Sequence, residues 1–320
     1  MVPRRRSLPL SPTPADWRSW LVRRLRPWFL RHQRDLPWRR DRDPYRIWVS
    51  EVMLQQTQVA TVIPYFERFL HAFPTVADLA AAQEQDVLRL WEGLGYYRRA
   101  RDLHRAARVL VAQHEGRFPD DPAALGDLPG LGRYTCNAVL SQAFDRRLPI
   151  LEANSQRVLS RLFGRGDDPR QGAARRWLWQ AAEAILPQRD IGTFNQALME
   201  LGALVCTPTA PRCSDCPLAA RCVARQLGQQ ETIPARTSPA EITRIQEAAV
   251  VVRRGSTVLL AQRPPSGRWA GLWEFPHAPL LDGEAHETAA ARLLRDLTGL
   301  QTRLGAELLT IRHGVTRYHI

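Results

Sequence analysis

Residues 128–135 read LPGLGRYT, and the way this stretch is read decides the fold. Gly130 and Gly132, one residue apart, stand just before a helical run, CNAVLSQAF (136–144). Glycines in a tight turn leave backbone N–H groups free, and such groups at a helix start can hold a phosphate. A lone Gly-x-Gly also suits a plain helix–helix turn. Set between two helical stretches of a basic chain, it favours a helix-hairpin-helix that grips a nucleic-acid backbone without reading sequence.

Outward from this turn the pattern stays helical from about residue 16 to 225. Apolar residues recur at three- and four-residue steps, broken by short loops with Gly and Pro. WRSWLVRRLRPWFLRH, VADLAAAQEQDVLRLWEGLG, ARDLHRAARVLVAQH, SQRVLSRLFG, RRWLWQAAEAILP and FNQALMELGALVC all fit it. Residues 226–245 lose the period and gain Pro, Thr and Gln, which marks a linker. From 246 to 320 the chain reads as a small α+β domain. EAAVVVRRGSTVLLAQR gives two β-rich runs around a turn at Gly255, and HETAAARLLRDLTG gives a helix. The last residues, RYHI, fall inside an expected strand, so this domain is read as cut short. Residues 1–15, rich in Arg and Pro, read as a disordered basic arm.

The net charge is +13, and all 45 basic residues are arginine. Codon bias explains missing lysine but not the excess charge. Arginine forks match phosphates and stack on bases, so nucleic acid is the expected partner. No apolar span of about 18 residues occurs, which excludes a membrane-spanning helix, and the N-terminus lacks the apolar run of a secretory signal. A cytoplasmic protein is expected.

Four of the five cysteines follow the spacing Cys206-x6-Cys213-x2-Cys216-x5-Cys222. Thiolates this dense can wrap one [4Fe–4S] cubane. Structural zinc favours two Cys-x-x-Cys knuckles, of which only one exists here, and disulfides rank third. Cys136, alone in an apolar helix, reads as a buried thiol.

Two acids raise questions of chemistry. In DPYRIWVSEVMLQQTQV (43–59), Glu51 has Ile47, Trp48 and Leu54 at helical-neighbour positions. An acid so surrounded is desolvated and can stay protonated near neutral pH as a general acid. The ordinary alternative is a solvated helical glutamate. The Gln55–Gln58 stretch suits base edges or a hole in a duplex. In PILEANSQRV (149–158), Glu152 reads either as helix punctuation or as a second working acid.

Taken in order, LPWR (36–39), SEVMLQQTQV (50–59), GLGYYRRAR (93–101), LPGLGRYT, FNQALMELGALVC (194–206) and the Cys spacing resemble one family. It is the MutY-type A/G-specific adenine DNA glycosylases, of the iron–sulfur branch of the helix-hairpin-helix glycosylases. The resemblance implies a mainly α glycosylase domain with a [4Fe–4S] loop held by Cys206, Cys213, Cys216 and Cys222. A smaller Nudix-like α+β domain follows. It implies a monomer acting on double-stranded DNA at adenine mispaired with 8-oxoguanine or guanine, in base-excision repair beside the bacterial nucleoid. Family members flip the adenine out of the stack. They cleave the N-glycosidic bond with a pair of carboxylates.

Carried over to this chain, Glu51 is the acid, Glu152 its charge partner, and Tyr134 and Asn154 complete the catalytic set. Trp38 and Arg39 fall near the flipped base, and Leu54, Thr57 and Gln196 join the set that binds base or DNA. Gln56 and Tyr96 wedge the helix gap, and Gly130 and Gly132 hold the backbone. The cluster is expected to be structural, with Arg212 and Arg221 on a basic rim. The sister endonuclease III attacks with a lysine where this chain has Tyr134. A phenol cannot form a Schiff base, so lyase chemistry is excluded.

Three departures stand out. Glu152-Ala153-Asn154 replaces the family's Asp-Gly-Asn, adding about 1.5 Å of reach. Leu293, Asp296 and Leu297 stand where a working Nudix box has glutamates, leaving too few carboxylates for Mg²⁺. Val315-Thr316-Arg317 replaces the Phe-Ser-His that senses 8-oxoguanine, with Thr316 and Arg317 keeping a hydroxyl and a donor. These changes leave two rival readings: a slow or non-catalytic lesion-binding protein, and a glycosylase for another base.

Overall fold

The computed structural model describes residues 15–235, 242–264, 269–299, 304–315 and 318–320. The expected N-terminal arm up to residue 14, part of the linker, and Thr316 and Arg317 lie outside these residues. The chain divides into two compact units, Met1–Thr237 and Ser238–Ile320.

The first unit is helical: α1 (Ala15–His32), α2 (Pro44–Leu54), α3 (Val59–Ala72), α4 (Val76–Ala81), α5 (Glu84–Leu90), α6 (Arg98–His114), α7 (Pro122–Gly126), α8 (Arg133–Phe144), α9 (Ala153–Leu162), α10 (Gly172–Ala184), α11 (Ile191–Leu204) and α12 (Val223–Gln226). A 3₁₀ turn, Pro37–Arg39, precedes α2. Local chemistry sets the starts. Asp43 accepts the Tyr45 N–H with Pro44 in the first turn of α2. Thr75 and Asp78 form a reciprocal capping box on α4. Asp145, just past α8, accepts the first N–H groups of α11 from Ile191 and Gly192.

The run at 76–95, expected as one helix, is broken. Ala82 and Gln83 are extended, and the chain restarts as α5. The break lets α4 and α5 both pack on α6, burying Leu79, Val87 and Leu88.

Two apolar clusters result. One joins α2 to α8 around Trp48, Phe66, Phe69, Trp91 and Leu110. The other joins α1 to α9, α10 and α11 around Leu21, Leu25, Leu159, Ile185 and Leu201. Each such side chain stabilises the fold by roughly 1.5–3 kcal/mol. Contacts of α11 with α8 and α9 stitch the clusters together. Between α7 and α8 runs the predicted hairpin, with Leu128 and Leu131 buried. Gly130 needs its glycine twice over: its φ is +76°, and a β-carbon there would lie 2.6 Å from Asp102 Cβ.

The second unit holds short strands: β1 (Thr243–Arg244), β2 (Glu247–Ala249), β3 (Arg253–Arg254), β4 (Thr257–Val258), β5 (Ala261–Gln262), β6 (Trp273–Glu274) and β7 (His277–Pro279), then α13 (His286–Thr298), β8 (Gly314–Val315) and β9 (Tyr318–His319). β3 and β4 form the hairpin expected around Gly255. β2 pairs antiparallel with β7, and β9 lies between β1 and β8. α13 packs on β2 and β7. Leu293, at a family glutamate position, is buried on its inner face. Arg292 pairs with Glu284 at 2.7 Å instead of with a metal-binding acid.

Candidate active site

Glu51, on α2, is 5% exposed in a helix whose other residues from Tyr45 to Met53 are nearly all buried. Two neutral donors from α8 hold its carboxyl. Tyr134 Oη donates to Oε2 at 2.6 Å, and Gln142 Nε2 donates to Oε1 at 3.0 Å. Gln196, on α11, donates in turn to Gln142 Oε1 at 3.3 Å. Burial lifts Glu51 above the ordinary carboxylate range, the two donors pull it back, and the nearby Glu152 charge adds to the rise. Burial and the same two acids hold the Tyr134 phenol protonated.

Glu152 turns out to cap α9. Its oxygens accept the Asn154 N–H at 2.7 Å and the Ser155 N–H at 2.6 Å, while Ser155 Oγ accepts the Glu152 N–H at 2.8 Å. Burial raises the Glu152 carboxyl, and the two N–H groups and Arg157 oppose that rise. The two acids therefore differ in surroundings. Glu51 has a phenol and an amide, which tolerate a neutral carboxyl. Glu152 has helix-start N–H groups and a guanidinium, which favour an anion. Burial raises both carboxyls, so the difference between them lies in their partners, neutral for Glu51 and partly charged for Glu152.

Asn154 does not cap the helix. Its Oδ1 accepts from Arg157 Nη2 at 2.7 Å, and Arg157 also donates to the carbonyls of Gly202 and Cys206. A β-carbon at Gly202 would lie 2.5 Å from Asn154 Cβ, so glycine lets α11 meet α9 here.

Arg39 does not stand free. With Arg34 it binds Glu200, a fully buried acid on α11, at 2.9 and 2.7 Å. These bonds hold Glu200 down at about 2. Trp38 is buried edge-on to Phe66, so its ring belongs to the core. Leu54 and Thr57 are half-buried, whereas Gln56 and Tyr96 are exposed. Both exposed residues have left-handed backbones, with φ +60° and +48°, a conformation that costs a non-glycine residue about 1 kcal/mol or more.

Sequence reading missed Gln142 and Glu200. Gln142 lies roughly two helical turns beyond Tyr134, and that spacing along one face of α8 is the signal that points to it. Nothing in the sequence pairs Glu200 with Arg34 and Arg39.

The four clustered cysteines are unpaired thiols lining one pocket. Burial pushes Cys216 up to about 12, reinforced by its three neighbours. Among the described residues no three His, Cys, Asp or Glu side chains are placed to hold a metal ion. The donor set, four sulfurs around shared space with Arg161 and Arg225 in the wall, fits an anionic thiolate cluster. Arg161 is itself buried, donating to Cys206 Sγ at 3.4 Å and to the Thr207, Pro208 and Ile233 carbonyls. Of the expected basic rim, Arg212 stays exposed and donates to the Leu204 carbonyl, while Arg221 lies over the Trp17 and Trp20 rings. Stacking on aromatic faces offsets loss of hydration for a guanidinium.

Comparison with known proteins agrees with this fold. The profile of the helix-hairpin-helix superfamily of base-excision DNA repair proteins matches residues 49–184, and that of the NUDIX domain matches 248–320. A thermostable thymine-DNA glycosylase has the same fold, with TM-score 0.60 and 30% identity over 66% of this chain and 98% of that one. Endonuclease III trapped on DNA has TM-score 0.57 at 21% identity, which bears on fold alone. The first unit is thus a helix-hairpin-helix protein of the base-excision repair class.

The curated relatives narrow this further. An adenine DNA glycosylase of Buchnera aphidicola is 36% identical over 77% of this chain and 71% of its own length. That of Mus musculus is 39% identical over 84% of this chain and 62% of its own, and that of Homo sapiens 39% over 78% and 56%. The chain belongs to the adenine DNA glycosylase family. It spans a little over half the length of the mouse and human relatives.

Proposed function

We propose that this chain is a monofunctional DNA glycosylase that hydrolyses the N-glycosidic bond of adenine mispaired with 8-oxoguanine or guanine. The observation that carries the reading is the buried Glu51 carboxyl, held by Tyr134 and Gln142 near the Glu152 carboxyl. Glu51 gives its proton to the departing adenine, the bond to the sugar breaks, and Glu152 stabilises the sugar cation. Water then adds to the sugar and returns a proton to Glu51. Tyr134 orients Glu51, and Asn154 braces the Glu152 turn through Arg157.

The chain has no lysine, so a lysine Schiff base and strand nicking are not expected. The partner is duplex DNA, gripped at the Gly130–Gly132 hairpin by a monomer in the cytoplasm. Cys206, Cys213, Cys216 and Cys222 would hold a [4Fe–4S] cluster. When bound, it crosslinks the loop after α11 and supplies no chemistry to base removal.

One observation favours the rival reading of a slow or non-catalytic lesion binder: both Glu152 oxygens are engaged in capping. The test is incubation with duplex carrying adenine opposite 8-oxoguanine or guanine, followed by hot alkali. Alkali-dependent cleavage is expected. Binding without cleavage would establish the rival, and cleavage without alkali would contradict the monofunctional reading. Iron and sulfide analysis of the purified protein is expected to give a four-iron content; zinc instead would overturn the cluster.

A further inference from the structure

Between Gln56 and Tyr96 sits one guanidinium, that of Arg99 on α6. Its Nη1 donates to the carbonyls of Val52 and Met53, both at 2.9 Å, and to that of Gln55. These are carbonyls at the end of α2 that the helix itself leaves unpaired. Its Nη2 donates to the Leu94 and Gly95 carbonyls at 3.3 and 3.2 Å and to Thr57 Oγ1 at 3.3 Å. The group also lies over the Trp91 and Tyr96 rings at 5.4 and 5.5 Å. One fork thus joins the turn that carries Gln56 to the loop that carries Tyr96.

Arg99 makes no ion pair with any described carboxylate, so its charge is met by carbonyl dipoles and by the two ring faces. Burial brings the guanidinium down to about 10. An ammonium in its place is a point charge and could not serve both carbonyl sets in one plane.

We propose that Arg99 is the positioning residue that holds Gln56 and Tyr96 as one preformed wedge for opening a mispaired duplex. Two exposed side chains on strained, left-handed backbones would otherwise relax independently, and ordering them would fall on each encounter with DNA. Arg99 pre-sets both. The inference rests on the glycosylase reading, in which these two side chains enter the helix gap. It assigns the loss of Arg99 to base extrusion and leaves bond cleavage untouched.

The test is a mutant cycle on the full chain. It compares wild type, Arg99→Met, Gln56→Ala/Tyr96→Ala and the triple variant. Single-turnover adenine release is measured from an adenine:8-oxoguanine duplex and from adenine in an unpaired bulge. Arg99→Met and the double variant should each lose on the order of tenfold on the duplex, with no further loss in the triple. Both should lose less on the bulge, where there is less pairing to undo. Additive losses, or equal losses on both substrates, would overturn the proposal. Should Arg99→Met not fold, Arg99→Lys keeps the cation without the fork and is expected to show the same non-additivity. A wild type inert on both substrates would sink the glycosylase reading itself. An active wild type with an additive cycle sinks only the role of Arg99.

Discussion

Tyr134 Oη donates a 2.6 Å hydrogen bond to Glu51 Oε2, joining the hairpin helix to the helix that carries the buried acid. A neutral donor at this point has a definite consequence. It holds Glu51 in one orientation and only partly offsets the rise in pKa that burial gives the carboxyl. A lysine ammonium there would instead draw the proton off.

The pH dependence of Glu51 follows from its raised pKa. In the proposed mechanism base release needs the protonated carboxyl, so the single-turnover rate should fall as pH rises through that pKa. Glu51→Gln should abolish release by at least about 10³-fold, since it cannot give up a proton. The same shift acts on stability. Its contribution is whole below the ordinary value of 4.5 and is lost as pH climbs through the raised one. Glu51→Gln should therefore gain on the parent as pH climbs through that raised pKa, and a melting series across pH checks the sign.

Tyr134→Phe removes the phenol and a bond that favours the ionised form of Glu51. The basic limb of the pH–rate profile should move upward, while the maximal rate falls on the order of tenfold as the acid loses its orientation. A downward move of that limb would show that the phenol does not act on Glu51.

Glu152 separates capping from charge. Glu152→Gln keeps an oxygen for one N–H but no charge, and should lose on the order of 10²-fold or more in rate at a stability cost near 1 kcal/mol. Glu152→Asp keeps both functions and should preserve or raise the rate. A Glu152→Gln variant as active as the parent would show that this carboxylate only caps.

What the sequence made legible was what local pattern encodes. The Gly130–Gly132 turn, the cysteine spacing and the apolar ring around Glu51 each lie within a few residues, and each needs a particular residue type. Leu293 was legible as a lost carboxylate, and its burial on α13 supplies the reason. Less legible was Glu152, whose two carboxylate oxygens both cap α9. The break at Ala82 was hidden because both halves keep a helical period. Gln142, Glu200 and Arg99 act across distant segments, as Gln142 meets Glu51 from 91 positions away. Only the packing of α6 and α8 against α2, and of α11 against the segment between α1 and α2, makes them neighbours, and no periodicity records it.

Glu200 supplies the sharpest stability test. Its carboxylate is fully buried between Arg34, which donates a backbone N–H and both ends of its fork, and Arg39. Its pKa lies at about 2 in the fold, well below its ordinary 4.5. The sign is therefore opposite to that of Glu51: the contribution is present above pH 4.5 and lost as pH falls through about 2. Glu200→Gln leaves two guanidinium groups without their anion and should cost roughly 3 kcal/mol at neutral pH, within the range for breaking a buried pair. The difference from the parent should shrink on acidification, as the parent's carboxylate also takes a proton. Because Arg39 favours the Glu51 anion, and Glu200 holds Arg39, the variant should also shift the basic limb of the pH–rate profile. Denaturant unfolding at neutral and acidic pH, set beside the rate profile, checks both effects. Equal destabilisation at every pH would show that Glu200 is held by packing rather than by its charge.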